Sequence, residues 1–326
     1  MNKEQNNLLV NRILENIPKK TKPVSYLSNL LDISTESVYR RFRGSIPFTF
    51  EEISKLSQTL SFSVDDIIGV KMTNSKALFE LKADELLGSS VAFITMLQQQ
   101  LSYIKKLQES SRSEIISGMR HLTALSVLEF DTLFKFFYYK WTHQTEDVPI
   151  NYFFSDVVFP SEIEHLLKEI RSLSGTTLYN NEMTVISNPS LCQSIVNEIQ
   201  YYTKRGLIND EDLQQLKNEL LAWVDDTESM IKTGFTKQGG RCNYFLSSFD
   251  TIESNSIYTS FDTQMESRFW IYTVKPLKVS KTGACKTHKE WFNSLKRYAT
   301  YITQSNEMLQ AEFLNQQRQY IQSIKS

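Results

Sequence analysis

The stretch from Val24 to Gly44 constrains the fold of this chain more than any other. Its apolar residues have the spacing of two short helices that pack across a tight turn: Leu27, Leu31, Ile33, Val38 and Phe42. Ser28 places a small side chain where the two helices must approach each other closely. Asp32 occupies the turn, where a positive φ is needed and where Asp is tolerated better than most non-glycine residues. With Ser34 positioned to cap the second helix, the sequence predicts a helix-turn-helix here.

Further helix signals surround this motif. Thr49–Glu52 has the pattern of a capping box that opens an amphipathic helix. Ser63–Asp66 opens a last short helix, for which Gly69 is the stop signal. A first helix is predicted near Asn7–Asn16, which brings the number of helices in residues 1–70 to five.

Residues 1–70 resemble the phage-repressor-like, XRE-type DNA-binding domains. The shared pattern is Leu-small-x-x-Leu-x-Ile/Val-Ser-x-x-x-Val, then Gly six positions later, and a following helix that ends before a Ser-x-Asp-Asp turn. The resemblance implies a five-helix domain that binds double-stranded DNA. Two positions depart from the family. Val24 stands where Gln is frequent, so Ser25 or the helix amino terminus has to supply that contact, and Phe42 replaces a usually polar residue.

The polar face of the second motif helix is the predicted reading surface, formed by Thr35, Glu36, Tyr39, Arg40 and Arg43. Arg40 is the best candidate for a bidentate contact to guanine, because its forked guanidinium matches the O6 and N7 acceptors. Further residues are predicted to contact the DNA or to guide its approach without reading its sequence: Ser25, Ser34, Lys19, Lys20, Lys22 and Arg41. The alternative is an ordinary helical hairpin, which has the same apolar spacing.

Charge is unevenly distributed along a chain whose formal net charge is only −1. Residues 1–47 contain eight Lys and Arg against four Asp and Glu, so this part carries +4 and the remainder −5. Such a distribution directs DNA to the amino-terminal part and repels it elsewhere. A solvated surface run is the alternative interpretation of the basic residues.

Composition favours a mainly α protein of more than one domain, because 326 residues include only 10 Gly and 7 Pro. Three scattered cysteines do not form a disulfide framework, which is typical of a reducing compartment. The sequence contains neither a secretory segment nor a membrane-spanning apolar run. We therefore expect a soluble cytoplasmic protein, as bacterial DNA-binding proteins are.

Residues 71–110 are predicted to form a hinge and a long connecting helix. Apolar and small residues recur there in alternating steps of four and three: Ala83, Leu87, Ser90, Ile94, Leu97, Leu101 and Ile104. This seam is typical of a short coiled coil that would support a homodimer. A helix that packs on its own domain has the same pattern, because further apolar residues widen the face.

Residues 111–326 are predicted to form a larger helical domain for dimerisation or effector sensing. The helical pattern continues from Ser113, and helix starts are expected at Ser161, Asn188 and Asn209, with stops at Gly206 and Gly234. Aromatic residues line one face between Phe130 and Trp141, either as core or as a cavity for an apolar effector. Short runs near 243–275 predict a small antiparallel β-sheet.

No pattern in the chain indicates catalysis, a cofactor or a metal. The nearest pair of metal-ligand types is Cys285 with His288, and two ligands are weak evidence for a metal site. The prediction is therefore a non-enzymatic, sequence-specific transcriptional regulator that binds double-stranded DNA as a homodimer and responds to a small molecule or peptide. The alternative is an interaction protein that keeps the helix-turn-helix as a scaffold, although the 34-residue repeats typical of some peptide sensors are not found.

Overall fold

The computed structural model describes residues 3–17, 21–60, 62, 64, 88–146, 148–174, 181–247, 252–270 and 276–325. The chain divides into two compact units, Met1–Lys76 and Ala77–Ser326. Among the described helices, none combines the length and apolar composition that a membrane crossing requires.

The first unit contains four helices within its described residues, α1 (Lys3–Asn16), α2 (Pro23–Leu31), α3 (Thr35–Phe42) and α4 (Phe50–Leu60). They enclose a small core of Leu9, Ile13, Ile17, Leu27, Val38, Phe48, Leu56, Leu60 and Phe62. These helices follow the sequence prediction. The predicted fifth helix, from Ser63 to Ile68, falls outside the described residues apart from Val64.

The second unit contains seven helices within its described residues: α5 (Ser89–Glu109), α6 (Asp131–Thr145), α7 (Ser161–Ser174), α8 (Gln193–Lys204), α9 (Asp210–Thr233), α10 (Thr282–Lys296) and α11 (Glu307–Gln322). Two of the predicted boundaries are observed at α9. The Asn209 side chain accepts a hydrogen bond from the amide of Asp212 at 2.7 Å, and Gly234 ends the helix with a φ of 77°. The helix expected directly after Pro189 begins only at Gln193.

A seven-stranded mixed sheet lies within this unit, and it is larger than the small antiparallel sheet predicted from the sequence. Its strands are β1 (Ser113–Met119), β2 (Asn181–Ser187), β3 (Arg241–Ser247), β4 (Ser256–Phe261), β5 (Gln264–Trp270), β6 (Pro276–Val279) and β7 (Ala299–Tyr301). Their order is β6-β5-β4-β1-β2-β3-β7. The central strands β1, β2 and β3 are parallel, and the pairs on either side of them are antiparallel.

Two expectations about this region were therefore wrong. The chain from Ser113 forms the central strand β1 instead of continuing as a helix. The run near residue 243 does not pair with the next run along the chain, because β3 pairs with β2 and β7. Only the pairing of β4 with β5 matches the predicted antiparallel arrangement.

Helices cover both faces of the sheet, as the alternation of side chains along β2 requires. Val185 belongs to the large core that the helices α5 to α9 and α11 share, whereas the adjacent Ile186 packs toward α10 on the other face. The α10 side of the sheet holds a smaller core that includes Ile116, Tyr258 and Phe292.

The predicted aromatic stripe lies in the large core. Phe134, Phe136 and Tyr139 of α6 are fully buried, and the Phe134 ring meets Phe93 of α5 edge-on, with centroids 5.6 Å apart. The core interpretation of this stripe is therefore correct. The seam of α5 also packs inside the unit, because Leu97 and Ile104 are buried in the same core and Ile94 and Leu101 lie against it. Ala83 and Leu87 of that seam lie outside the described residues.

His288 is a buried polar residue of α10. Its Nδ1 lies 3.0 Å from the Ser267 hydroxyl and its Nε2 lies 3.2 Å from the Ser256 hydroxyl. The imidazole ring also packs against Phe269 and Phe292. Burial lowers the pKa of His288 to about 4, because the charged ring would lose its hydration.

This lowered pKa predicts that His288 destabilises the folded chain in acid. Above pH 6.5 the residue is neutral in both states, but between pH 6.5 and about 4 the unfolded chain binds a proton that the folded chain does not. The loss by pH 4 should be about 2–4 kcal/mol. In urea unfolding series across this range, His288→Gln should flatten the pH dependence, whereas the exposed control His165→Gln should leave it unchanged. Equal slopes for both variants would contradict the assignment.

Candidate nucleic-acid interface

The turn between α2 and α3 is held by backbone geometry and by one serine. Asp32 adopts the left-handed conformation with φ 54° and ψ 47°, as its position in the sequence suggested. The amide of Ile33 donates a hydrogen bond to the carbonyl of Ser28 at 3.1 Å, and the Ser28 hydroxyl donates one to the carbonyl of Ile33 at 2.6 Å. Ser28 therefore closes the turn as well as letting the helices approach.

The start of α3 is fixed by Ser34. Its backbone is extended, with φ −65° and ψ 152°, and its hydroxyl accepts a hydrogen bond from the amide of Ser37 at 3.2 Å. This is the arrangement of an N-cap, which satisfies one of the free amides at the helix start. The cap therefore defines where α3 begins.

All five predicted base-reading residues share the outer face of α3 and its carboxyl-terminal cap. Thr35, Glu36, Tyr39, Arg40 and Arg43 are all exposed. On the opposite side of the helix Val38 is buried, with 1% of its surface exposed. Tyr39 keeps 44% of its surface exposed. The helix thus presents hydrogen-bonding groups and one aromatic ring on a surface that its own unit does not cover.

The residues predicted to contact the DNA backbone do not all lie on α3. Ser25 and Lys22 are exposed at the amino-terminal end of α2, and Ser34 is exposed at the start of α3. Lys19 and Lys20 lie outside the described residues. The predicted contact residues that are exposed therefore form one set on α3 and a second set at the start of α2.

Arg41 is largely buried, unlike the other described residues that were predicted to contact DNA. Its guanidinium binds the Glu52 carboxylate through two hydrogen bonds, from Nε at 2.9 Å and from Nη2 at 2.7 Å. Only 11% of the Arg41 side chain and 14% of the Glu52 side chain are exposed. Arg41 thus has an internal partner instead of the free guanidinium that a phosphate contact needs, and it joins α3 to α4.

Glu52 also caps α4. The Thr49 amide donates to the Glu52 carboxylate at 2.9 Å, and the Glu52 amide donates to the Thr49 hydroxyl at 3.2 Å. This reciprocal pair is the capping box that the sequence predicted. The ion pair with Arg41 was not predicted, because the 11-residue separation of the two side chains gives no periodic signal.

Asn6 is a structural residue that the sequence analysis missed. It is buried in α1, with 4% of its surface exposed, and its side-chain amide donates to the carbonyl of Arg41 at 3.1 Å. This carbonyl at the end of α3 also accepts a hydrogen bond from the amide of Gly44 at 3.0 Å, and the φ of Gly44 is 75°. The available signal was a polar residue in line with the buried Leu9 and Ile13 of the same helix.

The two candidate metal ligands that the sequence offered, Cys285 and His288, both make hydrogen bonds within the second unit. The Cys285 thiol donates a weak hydrogen bond to the carbonyl of Val279 at 3.4 Å, and His288 contacts two serines. Among the described residues, no group of three or more His, Cys, Asp or Glu side chains is arranged to hold a metal ion.

Part of the chain matches a known protein family. Residues 7–112 match the sequence model of the BetR domain family. The match covers about a third of the chain and extends from α1 through the helix-turn-helix to the end of α5. No curated protein matches the chain significantly. No solved structure does so either. The similarity to the BetR domain therefore concerns the part of the chain that carries the candidate interface.

The Arg41–Glu52 pair predicts a large structural effect of one substitution. Arg41→Ala leaves the largely buried Glu52 carboxylate without its cation and should destabilise α3 and α4 by about 2–3 kcal/mol. Hydrogen exchange measured by mass spectrometry on the full chain should show faster exchange in residues 35–60. The exposed control Arg43→Ala should leave that exchange unchanged. Equal protection in both variants would show that the ion pair does not stabilise the unit.

Proposed function

We propose that this chain is a sequence-specific DNA-binding transcriptional regulator. The observation that carries the proposal is the outer face of α3, where a capped helix next to a tight turn exposes Tyr39, Arg40 and Arg43. A helix of this kind fits the major groove of B-DNA, where side chains reach the base edges. The similarity of residues 7–112 to the BetR domain supports a regulatory role.

Arg40 and Lys22 take different roles in this proposal. Arg40 is exposed in the last turn of α3, where its guanidinium can reach the O6 and N7 acceptors of a guanine. Lys22 is exposed immediately before α2, where its ammonium can bind a phosphate without reading sequence. The internal pairing of Arg41 leaves the phosphate contacts to Lys22, Ser25 and the start of α2.

These roles predict different binding defects. Arg40→Ala should cost about 1–3 kcal/mol on the preferred site and relax the base choice at one position. Lys22→Ala should weaken all sequences alike and reduce the slope of log K against log salt by about one unit. Fluorescence anisotropy with a preferred and a scrambled duplex at several salt concentrations separates the two. An equal loss of affinity for both duplexes in Arg40→Ala would make Arg40 a phosphate contact. If the wild type bound no duplex, the alternative of an interaction protein that keeps the helix-turn-helix as a scaffold would be favoured.

We also propose that the regulator works as a dimer. One helix-turn-helix reads only a few base pairs, and two modules on a twofold axis read half-sites about 34 Å apart. The described part of the α5 seam packs inside its own unit, so the dimer contact has to use other surfaces. Light scattering of the full chain tests the oligomeric state directly.

The second unit is proposed to sense a small, largely apolar molecule. A cavity of about 370 Å³ lies within it, and its lining combines polar residues such as Gln100, Ser126 and Thr227 with a larger apolar part that includes Ile104, Leu107, Phe130, Met183, Trp223 and Met230. At its rim the Lys237 ammonium binds Asp226 at 2.6 Å and Glu129 at 3.3 Å. A volume in this range suits a small ligand. Phe130 belongs to the aromatic stripe that the sequence had suggested for such a role.

A further inference from the structure

A different cavity of the second unit has a polar and positively charged lining. It measures about 340 Å³ and lies between α5 and the strands β5 and β6. Its lining includes Gln98, Gln99, Ser102, Lys106, Arg268 and Lys278. The first three side chains offer amide and hydroxyl groups, and the last three are cations. This composition distinguishes it from the apolar cavity described above.

One buried carboxylate, Glu266, organises two of the cations. It is 4% exposed, and its oxygens accept hydrogen bonds from Arg268 and from Lys278, each at 2.6 Å. Burial alone would raise the pKa of Glu266, but Arg268 and Lys278 outweigh it, so the pKa is lowered and the carboxylate is ionised. The Arg268 guanidinium also lies 4.0 Å from the centre of the Tyr103 ring. These contacts fix Arg268 and Lys278 at the wall of the cavity.

The third cation, Lys106, has no such carboxylate. Among the described residues no ion pair includes it, and it lies beside the ammonium of Lys278. Lys106 is exposed, but the loss of part of its hydration and the neighbouring Lys278 lower its pKa, against the weaker opposite effect of Glu266. Three cations thus face one carboxylate, which leaves a net charge of +2 at the cavity. The exposed Glu162 accepts a hydrogen bond at 3.3 Å from Gln98, which also lines the cavity, and no ion pair joins it to these three cations among the described residues.

We propose that this cavity binds a dianionic phosphate group, either free or as the monoester of a small polar molecule. A dianion would neutralise the excess charge and relieve the repulsion between Lys106 and Lys278. Arg and Lys bind phosphate oxygens through charge-assisted hydrogen bonds, and Ser102 with the two glutamines can donate further ones. The volume is that of a small-ligand site and exceeds the needs of a bare phosphate ion, which leaves room for a polar ester group.

Calorimetric titration of the full chain in the absence of DNA tests the site. The probes are inorganic phosphate, ribose 5-phosphate and, as the uncharged control, ribose. Both phosphates should bind saturably and ribose should not. Lys106→Gln should weaken the binding of both phosphates at least about tenfold, and it should also raise the unfolding temperature of the ligand-free chain because the repulsion is removed. The matched control is Lys105→Gln, since Lys105 is adjacent on α5 but pairs with Glu169 at 2.9 Å.

The outcomes of the titration distinguish the two possible ligands from each other and from failure of the proposal. Tighter binding of ribose 5-phosphate identifies a phosphate ester, and equal affinities identify inorganic phosphate. Absence of saturable binding, or equal affinities in Lys106→Gln and Lys105→Gln, would overturn the proposal. If Lys106→Gln weakened DNA binding while neither phosphate bound, the cations would belong to a DNA-contacting surface instead. Because no DNA is present in the titration, the result does not depend on the helix-turn-helix.

Discussion

The candidate interface depends on the hydrogen bonds and the ion pair that the Glu52 carboxylate makes. This carboxylate caps α4 through the Thr49 amide and holds the Arg41 guanidinium of α3 at the same time. Arg41 in turn offers its carbonyl to Asn6 of α1. Three helices are therefore fixed to one another through polar groups that are largely removed from water, where such contacts cost most when broken. This inner arrangement leaves the opposite face of α3 free to meet a ligand.

The sequence predicted the first unit well because its signals are local. The turn at Asp32, the cap at Ser34 and the capping box at Thr49 each depend on residues no more than five positions apart. The role of Arg41 could not be predicted in this way. A basic residue beside Arg40 has the composition of a phosphate contact, and only the packing of α3 on α4 shows that Glu52 takes its guanidinium.

The second unit was predicted less well because the apolar runs of its central strands do not distinguish a strand from a helix. β1 is covered on both faces, so Ile115 and Ile116 stand together in a short apolar run that fits a buried helix equally well. Its partners β2 and β4 come from segments about 70 and 145 residues further on. The antiparallel pair β4 and β5 was predicted because its two strands follow each other directly in the chain. The same distant pairing brings Lys106, Arg268 and Lys278 to one cavity.

The central claim is that the exposed face of α3 reads DNA sequence, and selection from a random duplex library by the full chain tests it most directly. The bound fragments are sequenced after several rounds, alongside those bound by a variant carrying Thr35→Ala, Tyr39→Ala and Arg40→Ala. The account predicts an enriched motif for the wild type and its loss in the variant, which keeps the buried pair of Arg41 and Glu52. The absence of any enriched motif, or the same motif for both proteins, would contradict it.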